Sequence, residues 1–559
     1  MISIIISWII ILILALIYGR VGLYILYKDK YTVLQAGDIY IVFGILIMNV
    51  YAQICSLLGG VGKLAFIVLV LIAVMLSVWG NKQKIWRKWT SSEYGKPRIL
   101  ILILGSLAVL CWTNLVPQHY DTYLYHAQAI HWIEEYGVVP GLGNLHFRLA
   151  YNSAFMTLQA LFSFKWLLGQ SIHTVNGFVT LFMLGYCVLT CLPEKTKNVQ
   201  ASDFLKMACF GYILYDCIHV SSPNSDTWAM LLIFYIVMKW SEFVKSDATE
   251  SVPYGFLCLL TVYGATVKLS TACWVLLTIY PAIIFIREKK IGEIIKHIIV
   301  GLGIGVPYIV RNIIISGYLI YPYWEIDLFN VDWKMSRTVL QGDRQEIIAW
   351  GRGNRDVTRI GEPITKWFCE WFASIHVLWR ILFLCTIIAI IILIAITTRN
   401  IKHWEASNIA NIVCMVGMVF WLFTAPLPRY GMAYMLIIIS LTLPYVIIQF
   451  KEKISGQQKI QCVIKKSVQI FVGGCILVYS MIFIVYTGFY TPQSMPFVLQ
   501  NDYANRETKQ REMEGCLFAV PVLGDQTGYE PFPTVPYEGI LEGIELRGEG
   551  LKEGFRNPK

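Results

Sequence analysis

Long apolar runs separated by short polar stretches fill most of the chain. A run of about 20 apolar residues is long enough to cross a bilayer as one helix. Such runs lie at 2–26, 38–58, 64–80, 98–116, 173–192, 204–220, 226–244, 298–316, 377–398, 406–424, 431–449 and 467–487. Together with a broken run at 254–286, they predict an all-α polytopic integral membrane protein with about 14 transmembrane helices, in a range of about 12–14.

Two apolar stretches contain a lysine. The run 254–286 is interrupted at Lys268, which predicts two short or broken crossings. A lysine inside an apolar run is costly, so Lys268 is a candidate functional residue; snorkelling of its ammonium group to the interface is the alternative. The run 153–170 contains Lys165 and no charged loop follows it, so we expect a re-entrant or interfacial segment.

The positions of lysine and arginine predict the orientation of the chain. Basic loops that fall on one side in this arrangement lie at 28–30, 81–98, 193–206, 287–297, 399–402 and 450–466. Cytoplasmic loops carry the excess of positive charge, so that side is expected to be the cytoplasm. Both termini and two long loops, 117–152 and 318–376, are then expected outside.

Composition disfavours several classes of protein. Hydrophobic residues make up 56% of the 559 residues and charged residues only 15%, whereas a soluble domain has about 25% charged residues. A soluble enzyme and a disordered protein are therefore disfavoured. The net charge of +10 is spread over short loops, and the 14 cysteines show no metal-ligand spacing. Neither nucleic-acid binding nor a disulfide scaffold is indicated.

The chain divides into three parts. Residues 1–97 contain three N-terminal transmembrane helices, and residues 98–487 contain a transmembrane core with the two outer loops. The aromatic-rich start of the second loop, 318–333, is expected to form an aromatic stacking surface or a packed lid. Residues 488–559 form an extracytoplasmic segment whose many turn residues predict a small irregular or β-containing cap.

The first outer loop holds most of the candidate chemistry. Residues 120–136 have helical spacing and predict an amphipathic helix on the outer membrane surface. Asp121 begins this helix at the lipid–water boundary, where we expect a raised pKa and a role as a base; an N-terminal helix cap is the alternative. His119, His126 and His131 admit a metal site, although histidines at a membrane interface are more often amphipathic contacts.

Further ionisable residues lie near the predicted outer ends of other crossings. Asp226, in SSPNSD, is expected on the same face as Asp121, either as a second site residue or as a helix cap. Arg311 and Arg429, together with Lys268, suit a phosphate group, which arginine binds in a bidentate manner. An anionic lipid head group is the alternative partner.

Several of these segments resemble a known superfamily. Asp121 with Tyr125 four residues later resembles the first-loop acidic motif of the GT-C glycosyltransferases, as do the interruption at Lys268 and PRYGMAYMLII at 428–438. The strings YHAQAIHWIEEYGVVPGLGNLHFRLAYNS, SSPNSD, RNIIISGYLIYP and APLPRYG are similar to an uncharacterised bacterial family of integral membrane proteins within that superfamily. The resemblance covers roughly 98–450.

The resemblance implies a GT-C-like core and a catalytic role for Asp121. It also implies that the other candidates bind substrate, the basic ones through a lipid phosphate: Tyr125, His126, Asp226, Lys268, Arg311 and Arg429. The superfamily's usual acidic pair has glutamate after the aspartate, whereas Thr122 follows here. One oxygen ligand is therefore missing, and we predict no metal and no other cofactor.

The leading hypothesis is a glycosyltransferase of the bacterial cytoplasmic membrane. It would transfer a sugar from a polyprenyl-phosphate donor to an envelope glycan or lipid acceptor at the outer face, with Asp121 as the base and the basic residues stabilising the leaving phosphate. A polysaccharide polymerase or ligase, a transporter of lipid-linked glycans and an envelope scaffold are the alternatives. A cavity reached from both faces in turn would favour transport.

Overall fold

The computed structural model describes residues 1–86, 95–191, 200–245, 251–399, 405–451 and 495–558, which are mostly α-helical. The α-helices are α1 Ile2–Tyr27, α2 Gly37–Leu58, α3 Lys63–Lys82, α4 Lys96–Thr113, α5 Ala127–Glu135, α6 Leu142–Leu145, α7 Ala154–Leu161, α8 Lys165–Leu168, α9 Val175–Thr190, α10 Ala201–Asp216, α11 Asp226–Lys245, α12 Val252–Val267, α13 Ile279–Arg287, α14 Ile291–Ser316, α15 Arg337–Gly351, α16 Ile364–Ser374, α17 Val377–Arg399, α18 Ala406–Thr424 and α19 Pro428–Lys451. The strands form two antiparallel pairs, β1 Thr508–Met513 with β2 Cys516–Pro521, and β3 Glu545–Leu546 with β4 Phe555–Arg556.

Nine helices among the described residues are long and apolar enough to cross a membrane: Ile2–Tyr27, Gly37–Leu58, Lys63–Lys82, Asp226–Val244, Leu269–Arg287, Ile291–Ser316, Val377–Thr398, Ala406–Thr424 and Pro428–Val446. Shorter apolar helices occur at Arg98–Thr113, Ala154–Leu168, Val175–Thr190 and Val252–Val267. The chain is therefore an α-helical multi-pass membrane protein. A total of about 14 crossings stays a prediction, because the run 467–487 lies outside the described residues.

The run 254–286 is broken at Lys268, as predicted. Helix α12 ends at Val267, the backbone of Lys268 is extended, and the chain continues as the 3-10 helix Leu269–Thr278 and then as α13. The run 153–170 forms only the short helices α7 and α8, and α7 is buried in the protein. Neither is long enough to cross a bilayer, which is consistent with a re-entrant or interfacial segment.

Helices α1 and α2 cross at two glycines. A Cβ atom on Gly19 would lie 1.8 Å from the carbonyl oxygen of Tyr40, and one on Gly44 would lie 1.9 Å from that of Ala15. Small residues allow the backbones of membrane helices to approach this closely. Helix α2 also packs against α7 and α14, so the N-terminal helices are joined to the rest of the protein.

The N-terminus, the two long loops and the C-terminal segment share one face, which we call the loop face. The N–H group of Ile2 donates to the carbonyl oxygen of Phe497, at 2.9 Å. At the other end of α1, Arg20 binds the carboxylate of Asp29 and the carbonyl oxygen of Ile85. Two of the predicted basic loops therefore meet opposite the loop face. Which face is outside stays a prediction.

Residues 495–558 form a small cap on the first outer loop. The N–H groups of Thr527 and Gly528 both donate to the carbonyl oxygen of Tyr123, and that of Phe555 donates to the carbonyl oxygen of Pro140. The cap shares one apolar cluster with the loop, in which its strands β2 and β4 pack near α5. The prediction of a β-containing cap is confirmed.

Candidate functional site

A cavity of about 1140 Å³ lies between the first outer loop, α15, the break after α12 and the junction of α18 with α19. Ligand pockets usually have volumes of about 300–1,000 Å³, so this one is large. Six Lys or Arg side chains and four Asp or Glu side chains line it. The lining includes six of the seven predicted site residues: Asp121, Tyr125, His126, Lys268, Arg311 and Arg429.

Asp121 precedes an unusual helical turn. The chain leaves α4 at Thr113 and becomes helical again at Tyr120, and a π-helical turn, Thr122–His126, then leads into α5. Such turns occur frequently at functional sites. The side chain of Asp121 makes no capping hydrogen bond to this turn, so the helix-cap interpretation of Asp121 is wrong. Its carboxylate faces the cavity instead.

The helical segment that follows is buried beneath the cap. Gln128 donates to the carbonyl oxygen of Tyr529 at 3.1 Å. The ring of His131 stacks between those of Tyr529 and Phe532, with centroid distances of 4.4 and 3.9 Å. The prediction of helical structure over 120–136 is confirmed, but Gln128 and His131 contact the cap and not water, whereas Glu135 stays exposed. His131 therefore belongs to the cap interface, outside the cavity.

Arg429 connects the acidic residues of the site. Its Nη2 lies 3.4 Å from Oδ2 of Asp121, and its Nε lies 3.9 Å from Oδ2 of Asp226. The guanidinium also contacts the hydroxyl oxygen of Tyr430 at 2.8 Å and Nε2 of His119 at 3.0 Å. Nδ1 of the same imidazole lies 3.2 Å from the backbone nitrogen of Asp121 and 3.8 Å from its Oδ2.

The pKa of Asp121 departs from the expected direction. Burial acts to raise it, but the neighbouring His119, His126, Arg429 and Arg148 lower it, and the net pKa lies below the ordinary value of 3.8. Burial lowers the pKa of His126 to about 4, so at neutral pH the arginines supply the positive charge. The prediction of a raised pKa is wrong, because cations from distant segments surround the carboxylate. Asp121 is ionised and is a weak base.

Lys268 and Asp226 form an ion pair at the break in the membrane helix. The ammonium nitrogen of Lys268 also lies 4.0 Å from the centroid of the Tyr430 ring, a cation–π contact. At the start of α11, Asn224 Oδ1 accepts a hydrogen bond from the N–H group of Thr227 and so caps the helix. Asp226 does not itself line the cavity. It lies on the same face as Asp121, as predicted, because both contact Arg429.

Arg311 lies at a separate part of the lining. It is 2% exposed, and it donates to Oδ1 of Asn152 at 2.9 Å and to the hydroxyl oxygen of Ser56. Among the described residues it has no ion pair with a carboxylate, whereas Lys268 and Arg429 do. A buried charge without a counter-ion is costly. The position of Arg311 on the cavity wall therefore suits an anionic ligand.

Helix α15 forms one wall of the cavity and changes character along its length. Its polar lining residues come first, Asp343, Arg344 and Glu346, and its apolar ones follow, Ile347, Ile348 and Trp350. At a rise of 1.5 Å per residue, the two groups occupy successive turns. Further apolar lining comes from α17, α18 and the α18–α19 junction: Trp379, Phe420, Phe423 and Leu427. The cavity thus has both charged and apolar lining residues.

Asp343 is a candidate that the sequence did not reveal. It is 3% exposed, and its two oxygens accept hydrogen bonds from the hydroxyl groups of Tyr151, at 2.8 Å, and Tyr321, at 2.9 Å. Burial raises its pKa to about 6, although both tyrosines and Arg148 act to lower it. The amphipathic sequence around Asp343 resembles that of any solvated helix. The only feature of the sequence that could have pointed to Asp343 was its position in the long second outer loop.

The described residues contain no group of three or more His, Cys, Asp or Glu side chains arranged to hold a metal ion. That the protein uses no metal ion stays a prediction.

The fold and the cavity define a multi-pass α-helical membrane protein with a large, charged, partly apolar pocket beneath its loop face. The chain belongs to the family described as domain of unknown function DUF8201, whose model matches residues 1–436. The matched region includes the three N-terminal helices and most of the core, and it ends within α19, before the C-terminal cap. No curated protein matches the chain, and no solved structure matches it.

Proposed function

We propose that this protein is a membrane glycosyltransferase. It transfers a sugar from a polyprenyl-phosphate donor to an envelope glycan or lipid acceptor, at the outer face of the bacterial cytoplasmic membrane. The observation that supports this most strongly is the dual lining of the cavity. A lipid-linked sugar phosphate has an apolar chain, an anionic group and several hydroxyl groups, and the cavity presents a partner for each.

The basic residues account for the phosphate. Arg311 lacks an acidic partner among the described residues, and Lys268 and Arg429 supply two further positive charges at the cavity wall. Charged groups fixed in place stabilise a leaving phosphate without reorganisation during the reaction. The aromatic residues Tyr125 and Tyr321 also line the cavity, in positions that suit contact with a sugar ring.

A transfer assay on the purified protein in lipid nanodiscs tests the proposal. The donors are a panel of polyprenyl-phosphate-linked hexoses, the acceptor is an envelope glycan fraction, and the readout is released polyprenyl phosphate. We expect transfer by the wild type and a loss of about 10- to 100-fold in Asp121→Asn, since Asp121 positions Arg429 beside the substrate. Arg429→Ala should weaken donor binding by about 10- to 100-fold, because a charge-assisted hydrogen bond is lost.

Asp356→Asn is the matched control. Asp356 lies in the same outer loop region as the cavity wall but is exposed and caps the short helix Val357–Arg359, a role that asparagine also performs. The control should transfer sugar at the wild-type rate. Absence of transfer in the wild type with every donor, or full activity in Asp121→Asn, contradicts the proposal.

Two observations favour alternative functions. The cavity volume of about 1140 Å³ leaves room for more than one sugar, which favours a polysaccharide polymerase or ligase that acts on lipid-linked oligosaccharides. The broken helix at Lys268 is typical of transporters, where interrupted helices contact charged substrates. Transport of a lipid-linked glycan by the same purified protein in vesicles, without covalent sugar transfer, would support the transporter.

A further inference from the structure

Asp343 is fixed at the point where the two outer loops meet. Its hydrogen-bond donors come from different loops, Tyr151 from the end of the first and Tyr321 from the start of the second. The rings of these tyrosines also contact each other, with centroids 5.8 Å apart. The carboxylate is buried yet lines the cavity. It therefore has a defined position on the wall that faces a ligand.

The carboxylate retains capacity to bind a ligand hydroxyl. An ionised carboxylate has about four acceptor sites on its two oxygens, and the tyrosines occupy one site on each oxygen. A hydroxyl group of a bound acceptor can donate to a remaining site. Asp121 differs, because its hydrogen-bond donor is the charged guanidinium of Arg429, whereas the donors to Asp343 are neutral hydroxyl groups.

The charges that face Asp343 come from both loops and from α15. Arg148 and Tyr151 belong to the first loop, Tyr321 to the second, and Glu346 to α15 itself. Burial raises the pKa of Asp343 to about 6, and the two tyrosines and Arg148 limit that rise, while Glu346 adds to it. A base with a pKa close to neutral accepts a proton more readily than one whose pKa is held below the ordinary value, as for Asp121.

We propose that Asp343 accepts the proton of the attacking hydroxyl group in sugar transfer. This inference rests on the proposed function. The acceptor oxygen forms a bond to the anomeric carbon, the bond between that carbon and the phosphate oxygen breaks, and the phosphate leaves with the electron pair. The hydroxyl proton moves to the carboxylate of Asp343 and then to water, which restores the ionised group. Asp121 is then a positioning residue that holds Arg429.

The pH dependence of transfer distinguishes these roles. The value of kcat/KM should fall below about pH 6 in the wild type, because the free enzyme must have Asp343 ionised. Asp343→Asn should lower kcat by about 10²–10⁴-fold and remove this acid limb from the remaining activity. Asp121→Asn should keep the limb near pH 6. Asp356→Asn should match the wild type in both rate and profile.

Tyr321→Phe provides a second test if Asp343→Asn does not fold. The variant removes one hydrogen bond that lowers the pKa of Asp343, so the acid limb should move to higher pH. A purely structural role for Asp343 predicts no such movement. An unmoved limb in Tyr321→Phe contradicts the inference.

Binding of polyprenyl phosphate, followed by the fluorescence of Trp350 and Trp379 in the cavity wall, separates the possible failures. Unchanged binding in Asp343→Asn together with lost transfer supports the inference. If the wild type binds and transfers but Asp343→Asn stays within about threefold of its rate, or keeps the acid limb, the inference alone fails. If the wild type neither binds polyprenyl phosphate nor transfers sugar, the inference and the proposed function fail together.

Discussion

Removal of the Arg429 guanidinium should destabilise the protein through Asp121. Nη2 of Arg429 lies 3.4 Å from Oδ2 of Asp121, and Nε of Arg429 lies 3.9 Å from Oδ2 of Asp226. At an effective dielectric constant of about 20, each contact corresponds to about 4–5 kcal/mol of Coulomb energy. Asp226 keeps Lys268 as a partner, so the loss in Arg429→Ala falls mainly on Asp121.

Solvent reduces this electrostatic energy. The Arg429 side chain is 35% exposed, whereas that of Asp121 is 19% exposed, and the hydrogen bond between them is long. Loss of a hydrogen bond to a charged group costs about 1.5–3 kcal/mol, so we expect Arg429→Ala to lower the free energy of unfolding by about 2 kcal/mol. In a double-mutant cycle with Asp121→Asn, the coupling energy should be about 1–2 kcal/mol.

The assay is equilibrium unfolding by a denaturing detergent in lipid bicelles, followed by tryptophan fluorescence. Arg337→Ala is the matched control, because Arg337 lies 2.9 Å from Asp327 but is 63% exposed, and Asp327 keeps Lys334 as a second partner. This control should cost no more than about 1 kcal/mol, as for other exposed pairs. A cost for Arg429→Ala no larger than that of the control, or a coupling energy below about 0.5 kcal/mol, would refute the reasoning.

Two further predictions concern the helix crossing and the cap. Gly44→Ala should lower the free energy of unfolding by about 1–3 kcal/mol, since the new methyl group would collide with the carbonyl group of Ala15. The control Gly305→Ala should be neutral or stabilising, because a Cβ at that position meets nothing within 4 Å. Equal effects in the two variants would contradict the close crossing of α1 and α2. Burial lowers the pKa of His131 to about 3, so its contribution to stability is complete above about pH 6.5 and falls by up to about 1.4 kcal/mol per pH unit below it. His131→Phe should therefore reduce the pH dependence of the unfolding free energy between about pH 6 and 4 by about one proton, and an unchanged slope would contradict the buried neutral state.

The membrane helices were predictable because their signal is local. An apolar run of about 20 residues specifies a crossing wherever the chain places it. Most of the long apolar helices start and end within a few residues of the predicted runs, but α14 begins at Ile291, inside the predicted basic loop 287–297. The break at Lys268 was predictable for the same reason, since a lysine within an apolar run disturbs its own segment. Likewise, turn residues in the tail predicted an irregular, β-containing cap.

The environment of each site residue was less predictable. Position at a membrane boundary suggested a raised pKa for Asp121, and the structure gives the opposite direction. His119 and His126 lower this pKa and are near in the chain, but Arg429, which also lowers it, is 308 residues away. Local sequence also suggested a surface helix over 120–136, whereas the C-terminal cap buries it.

Asp343 illustrates what depends on the folded chain. Its helix has the mixed polar and apolar sequence of a solvated segment, and its burial comes from Tyr151 and Tyr321, which lie 192 and 22 residues away. Apolar runs determine which segments enter the bilayer, because the cost of exposing or burying them depends on the residues of the run alone. The ionisation state and the contacts of a carboxylate depend on every charge and hydrogen-bond donor within a few ångströms, and only the packing of distant segments brings those groups together.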